Sequence, residues 1–130
     1  MAANTAPIFE MTVKNAGVQF ASGDTTTKKT VYTGGANGSR IDDILISTND
    51  TTAVNLAFYI TSGGTDYYIG VVVVPIGSGY TTVARVSGMN TLSPTLGYLV
   101  LASGDVLKAA CVATMTAAKA TDVVAMLGDF

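Results

Sequence analysis

The chain reads as short runs of apolar and β-branched residues separated by turn residues. "AVNLAFYI", residues 53–60, is the clearest run. Val54, Leu56, Phe58 and Ile60 share one parity, and Ala53, Asn55, Ala57 and Tyr59 share the other. A period of two marks a half-buried strand. After the turn cluster "SGGTD" comes "YYIGVVVVPIG", residues 67–77, whose unbroken β-branched core predicts a strand buried on both faces. Two runs joined by a short glycine-containing loop predict a hairpin. Further strands are expected in "GVQFA", "KKTVYT", "RIDDILIST", "TTVARV", "GYLVLA", "VLKAACVAT" and "TDVVAMLG". Strands of that length every ten to fifteen residues predict an all-β chain: an antiparallel β-sandwich, jelly-roll-like, of about eight to nine short strands.

Local details refine this. The Ala-rich "AACVATMTAAKA" would also suit a helix over 106–118. Its β-branched Val106, Val112, Thr114 and Thr116 favour a strand. In "RIDDILIST", Ile44 and Ile46 share a parity that Ile41 lacks; a β-bulge at Asp42-Asp43 would return Ile41 to the core side. The two "ASGD" stretches, at 21–24 and 102–105, read as turns with glycine at positive φ and Asp capping the next residues.

The segment "TGGANGSRID", residues 33–42, poses a chemical question, because glycines near a cation often cradle phosphate. A phosphate loop needs Lys-Ser or Lys-Thr and then a helix. Here a strand is expected next, and Asn37-Gly38 signals a type I′ turn at a hairpin or sandwich corner. Arg40 is then a candidate to pair with Asp42 or Asp43, or to meet a neighbouring subunit.

Composition narrows the function. The chain is 130 residues, one domain long, 48% hydrophobic and only 12% charged, about half the usual charged share. So little charge leaves much of the surface to Thr, Ser, Gly, Asn and Ala, which suits either a sandwich with a Thr-rich face or a surface packed against copies or partners. Net charge is −2 and the seven basic residues are scattered, which argues against nucleic-acid binding. The absence of histidine removes the commonest general base, the Ser-His and Cys-His pairs and the usual zinc ligand. Asp42 and Asp43 are adjacent in a strand and the other carboxylates fall mostly at turns, so no acid pair for hydrolysis is expected. Cys111, alone in an apolar stretch, reads as a buried inert thiol. "MAANTAPIF" lacks the basic and apolar regions of a secretory signal, and the 67–77 run is too short to cross a bilayer as a helix. The Asn37 and Asn49 sequons then read as chance. Tyr67, Tyr68 and Tyr80 are candidates for a carbohydrate platform or for cross-strand pairs.

Four segments, "APIF", "VYTGGANGSRID", "LASGDVLKAA" and "LGDF", occur in that order over nearly the whole chain. Together they resemble small β-sandwich virion structural proteins of tailed bacteriophages. "TGGANGSRID" is the most specific of them. The late segment has Ser103 where that family often has Pro before the glycine. The resemblance implies a virion component on the outer capsid surface, made in the bacterial cytoplasm. It would be a capsid decoration or cement protein, not an enzyme, with no cofactor, metal or membrane. Expected partners are its own copies, as a trimer, and the major capsid protein. A tail or fibre module for carbohydrate binding and host adhesion is the alternative. The expected organisation is an N-terminal arm, 1–12, and one sandwich domain, 13–130. Pro7, Ile8 and Phe9 of the arm would form an apolar anchor on a neighbouring subunit, with packing on the chain's own sandwich as the alternative.

Overall fold

The computed structural model describes residues 10–130, and these form nine strands in two antiparallel sheets. The strands are β1 Thr12–Ala21, β2 Lys29–Thr33, β3 Ser39–Thr48, β4 Val54–Ser62, β5 Thr65–Val74, β6 Val86–Ser87, β7 Leu99–Leu101, β8 Val106–Cys111 and β9 Ala120–Asp129. A one-turn helix, α1 Met89–Leu92, follows β6. Each of the nine expected runs contains or overlaps one of these strands, although "TTVARV" shrinks to the two residues of β6. The first sheet has the order β1-β9-β3-β6, with β7 also on β3; the second has β2-β8-β4-β5. If the short β7 is set aside and the other eight are renumbered, the orders become 1-8-3-6 and 2-7-4-5. That is the jelly-roll arrangement, an antiparallel β-sandwich. The Ala-rich segment is strand only as far as Cys111, and a loop then runs to β9, with Ala118 at φ 63°.

The core lies between the sheets. Phe20, Ile41, Ile44, Ile46, Leu56, Phe58, Leu107 and Val123 are fully buried there. On β4 the parity reading holds, with Leu56 and Phe58 inward and Asn55 exposed. The β3–β9 register steps from Ile41↔Leu127 to Asp43↔Met126, which makes Asp42 the extra residue of a bulge. Through that bulge Ile41, Ile44 and Ile46 all reach the core.

Strand β5 departs from its expected burial. Val72 and Val74 are buried but Val73 is 58% exposed, because only one face of this sheet meets the core. Its hairpin with β4 closes through Gly63 and Gly64 at φ 58° and 81°, between paired Ser62 and Thr65. Positive φ at both central positions is the type I′ signature, and its twist matches that of the paired strands.

The "GGANG" stretch is a corner rather than a hairpin, since β2 and β3 lie in different sheets. Gly38 N–H donates to the Gly35 carbonyl, and only Gly38 has positive φ. Asn37 therefore sits at the third position of the turn and not in a type I′ pair. With no strand pair to continue, the mirror-image turn is not required. The 102–105 turn has Gly104 at φ 77° as expected. In the 21–24 turn Gly23 is not at positive φ; Thr25 is, and the Asp24 carboxylate reaches back to accept from Ala21 N–H.

Two carboxylates tie the ends of the sandwich. Asp129, at one end of the β3–β9 ladder, accepts from Lys14 Nζ at 2.8 Å, Tyr32 OH at 2.8 Å and Ser39 Oγ at 2.5 Å. It thereby joins β1, β2 and β3 across both sheets. A Cβ on Gly35 would lie 2.9 Å from its Cγ, so the corner needs glycine there. Asp50, at the other end and only 1% exposed, accepts from the backbone N–H and hydroxyl of both Thr52 and Thr116. These bonds clamp the β3–β4 loop to the β8–β9 loop.

Both carboxyls titrate at about 2, against an ordinary 3.8. For Asp129 the causes are Lys14, Ser39 and Tyr32. For Asp50 burial opposes ionisation, but the Thr116 and Thr52 bonds outweigh it. A depressed pKa means that the unfolded chain takes up protons first, so the stabilisation is complete above the ordinary pKa and is lost as pH falls toward 2. Urea midpoints are therefore expected to be level near neutrality and to drop between about pH 4 and pH 2. Asp50→Asn should cost about 1–3 kcal/mol at pH 7, roughly 4–12 °C in Tm, and should flatten the acid limb. An unchanged acid limb in that variant would refute the clamp.

Candidate interaction surface

The described residues concentrate little reactive chemistry. No group of three or more Asp, Glu or Cys side chains among them is placed to hold a metal ion. Cys111 is 2% exposed, and burial pushes its thiol up to about 11, so it packs as a small apolar residue. A pocket of about 100 Å³ lies beside Asp50, Val54, Val112 and Met115, but the Asp50 oxygens are already engaged by the two threonines. Among the described residues, no buried side-chain nitrogen or oxygen lacks a partner. The polar interior serves the fold.

Of the exposed large apolar residues, Val13, Tyr68, Val73, Val100 and Met126 lie on the outer faces of the two sheets, and Ile76, Tyr80, Val83 and Leu96 lie in loops. Opposed residues on neighbouring strands point to the same face, so the registers define each surface. On the β2-β8-β4-β5 sheet, Val71, Ala57 and Ala110 form one row and Val73 and Asn55 the start of the next, which Val112 extends. The two alanines lie low, at 5% exposure each, and give a flat floor between the taller valines. Toward the hairpin this face turns polar. Lys28 Nζ sits 4.1 Å over the Tyr59 ring and 2.7 Å from Asp66, which also bonds Thr61 and approaches Lys108. Tyr68 packs edge-on against Tyr59 at 5.7 Å.

On the β1-β9-β3 sheet, Val13 (85% exposed), Met126 and the half-buried Val124 and Leu45 form the apolar part of the outer face. Gly17 faces Val124, and its missing side chain opens a shallow depression of about 470 Å³, rimmed by Gln19, Ser47 and Asp122. Gln19 Nε2 donates to one Asp122 oxygen at 2.7 Å and Tyr80 OH to the other at 3.1 Å.

Arg40 lies at one end of this same face. Its Nε contacts Asp42 at 2.7 Å and Glu10 at 3.7 Å, and its guanidinium stacks 4.3 Å over Tyr98. Of the two acids considered from sequence, the partner is Asp42, because the bulge brings it to the outer side. Asp43 instead accepts from Ser87. Pro7, Ile8 and Phe9 fall outside the described residues. Tyr67, Tyr68 and Tyr80 are each more than half exposed. They do not form one platform: Tyr68 belongs to the outer face of one sheet and Tyr80 bonds Asp122 on the other. Gly17 and Asp122 were not distinguishable by pattern alone. The only signal was a glycine inside a strand run, which often marks close approach of another group.

No family model matches the sequence, and no curated protein matches it. Among solved structures, the nucleoplasmin-like N-terminal domain of Drosophila FKBP39 superposes with a TM-score of 0.44 at 10% identity, over 95% of this chain and 96% of that one. At that distance it informs neither binding nor assembly.

If these outer faces are free of structural duty, their substitution should leave the fold intact. Val73→Thr is expected to move Tm by no more than about 2 °C, whereas Leu56→Ala in the core should cost about 2–5 kcal/mol. Thermal melts of the two variants check the contrast. Comparable losses would show that the exposed face holds the fold together.

Proposed function

We propose that this chain is a structural virion protein that decorates or cements a bacteriophage capsid by binding the assembled shell. The observation that carries the reading is the exposed aliphatic patch on the outer face of each sheet, Val73 on one and Val13 with Met126 on the other, where every buried side-chain nitrogen and oxygen among the described residues already has a partner. The order of "APIF", "TGGANGSRID", "LASGDVLKAA" and "LGDF" supports a phage origin through its resemblance to such proteins. A net charge of −2 suits an outer surface better than a lumen lined against DNA.

The mechanism is mass action. A protein that binds the assembled lattice and not its free subunits stabilises that lattice by its binding free energy. Repetition over many equivalent sites opposes the outward pressure of packaged DNA without strong individual contacts. We place the protein at local threefold positions as a trimer, with the 1–12 arm, through Pro7, Ile8 and Phe9, and Arg40 at subunit contacts. Exposure of Tyr67 and Tyr68 favours a second reading, an adhesion module on a tail or fibre.

Cryo-EM of the virion that encodes the chain separates the two. Density at capsid threefold positions is expected, and density confined to the tail tip would overturn the decoration reading. Removal of residues 1–9 should weaken co-sedimentation with heads at least tenfold. Unchanged binding would dismiss the arm as an anchor.

A further inference from the structure

The depression at Gly17 has a composition that specifies its occupant. Its floor is aliphatic: Gly17 and Val124 face each other across β1 and β9. One wall is the Asp122 carboxylate, with Gln19 and Tyr80 each donating to one oxygen. Asp122 makes no ion pair among the described residues. Each oxygen thus keeps a lone-pair direction for a further donor. The surrounding face carries Glu10, Asp42 and Asp43 besides Asp122, and its nearby cations are Arg40, held by Asp42, Lys29, held by Asp24 and by the Gln19 carbonyl, and Arg85, which with Ser47 flanks Gly79. A shallow apolar depression that ends at an anion fits a long aliphatic stem with a cationic head.

We propose that this depression is the docking seat for a lysine or arginine side chain of the shell protein, so that the outer face of the β1-β9-β3 sheet is the shell-facing side. The inference rests on the decoration reading for the identity of the partner. Face-to-face contact between two copies through this surface would oppose their excess carboxylates. A copy that offered Lys28 or Lys108 would do so from the opposite face of the sandwich. Repeated head-to-tail contact of that kind propagates an open stack and not a closed ring. Three ten-residue strands about 4.8 Å apart, at about 3.3 Å per residue, give roughly 480 Å², the size of a weak contact. Standard interfaces bury about 800 Å² per partner.

The seat can be filled without harm to the fold. A Cβ on Gly17 would meet only the Val123 carbonyl oxygen, at 3.8 Å, and the residue is not at positive φ. Gly17→Leu should therefore fold normally and block the seat, while Asp122→Asn should keep the shape and remove the charge.

Two measurements on the full chain test the proposal and separate its failure from failure of the decoration reading. The first is an NMR titration with N-acetyl-lysine methylamide, with the norleucine analogue as the uncharged control. Shifts confined to the amides of residues 17–19, 47 and 122–124 are expected with the lysine probe, and they should be lost in both variants. Scattered shifts, equal shifts with norleucine, or shifts that persist in both variants would overturn the seat whatever the particle does. The second is co-sedimentation with heads stripped of the protein. Gly17→Leu and Asp122→Asn should each bind at least tenfold more weakly, and added salt should weaken the wild type more than Asp122→Asn. Failure of wild type to bind heads defeats decoration and the shell as occupant, while the titration still judges the seat. Wild-type binding that both variants retain, binding lost on Val73→Lys but kept on Gly17→Leu, or dissociation of a wild-type oligomer by Gly17→Leu would overturn the assignment of this face to the shell.

Discussion

The structure depends on the ladder between β3 and β9. It joins residues 39–48 to 121–129, from the two halves of the chain, at the centre of one sheet. Its register decides which side chains of β3 and β9 enter the core and which face outward. The single extra residue at Asp42 keeps Ile41 in phase with Ile44 and Ile46. Without it, one end of β3 would expose an isoleucine and bury a charged neighbour, at several kcal/mol. Asp129 and Asp50 hold the two ends of the ladder, the first by gathering β1 and β2, the second by fastening the loops beyond Thr48 and Thr121. The same register sets Gly17 opposite Val124 and Gln19 opposite Asp122 through the β1–β9 pairing. The outer surface is therefore a consequence of how the core is kept in phase.

That dependence explains what could be read from sequence. Period-two patterning is a property of a strand and one partner layer, so the β4 pattern and the phase slip at Asp42 were both legible. The Gly63-Gly64 hairpin was legible because its turn chemistry is local. Burial on the second face of a strand is not local. The run of valines in β5 looks two-sided in sequence, yet Val73 faces outward, because nothing among the described residues covers that side of the sheet. Asn37-Gly38 misled for a related reason: the dipeptide permits a type I′ turn, but the destination of the next strand decides whether one forms. Asp50 looked like an ordinary turn residue, and only the distant Thr116 makes it a buried hub. The outward seat at Gly17 needed the pairing of residues more than a hundred positions apart.

The outward valines pose a physical problem for an isolated domain. Long apolar edges and flat apolar faces invite uncontrolled association, and soluble sandwiches usually blunt them with charge. Here the blunting is partial. Lys28, Asp66 and Lys108 cluster at one end of one face, and Arg40 with Asp42 and Glu10 at one end of the other. Beyond these clusters the first face is left to valine and alanine, while the second keeps Asp43, Asp122 and Gln19 beside Val13, Val124 and Met126. The arrangement is economical if the faces are covered in use: charge at the ends discourages random pairing, and the smooth centres accept a surface of matching shape.

Energetics then constrain how such a face would work. An exposed ion pair contributes only about 0.2–1 kcal/mol, and salt screens it further. A cation on Asp122 would therefore select orientation and partner more than it would supply affinity. Burial of a lysine or arginine stem adds about 0.8 kcal/mol for each methylene removed from water, before the cost of immobilising the side chain. One seat would thus hold its partner weakly. A weak, oriented contact is adequate when it recurs across a lattice, because the free energies of linked sites combine while each contact stays reversible enough to correct misplacement. Strong single contacts would instead capture free subunits as readily as the assembled shell, and the preference for the assembled state would be lost. For a protein whose effect depends on binding one state and not the other, an aliphatic patch beside the Asp122 carboxylate would serve better than a patch charged throughout.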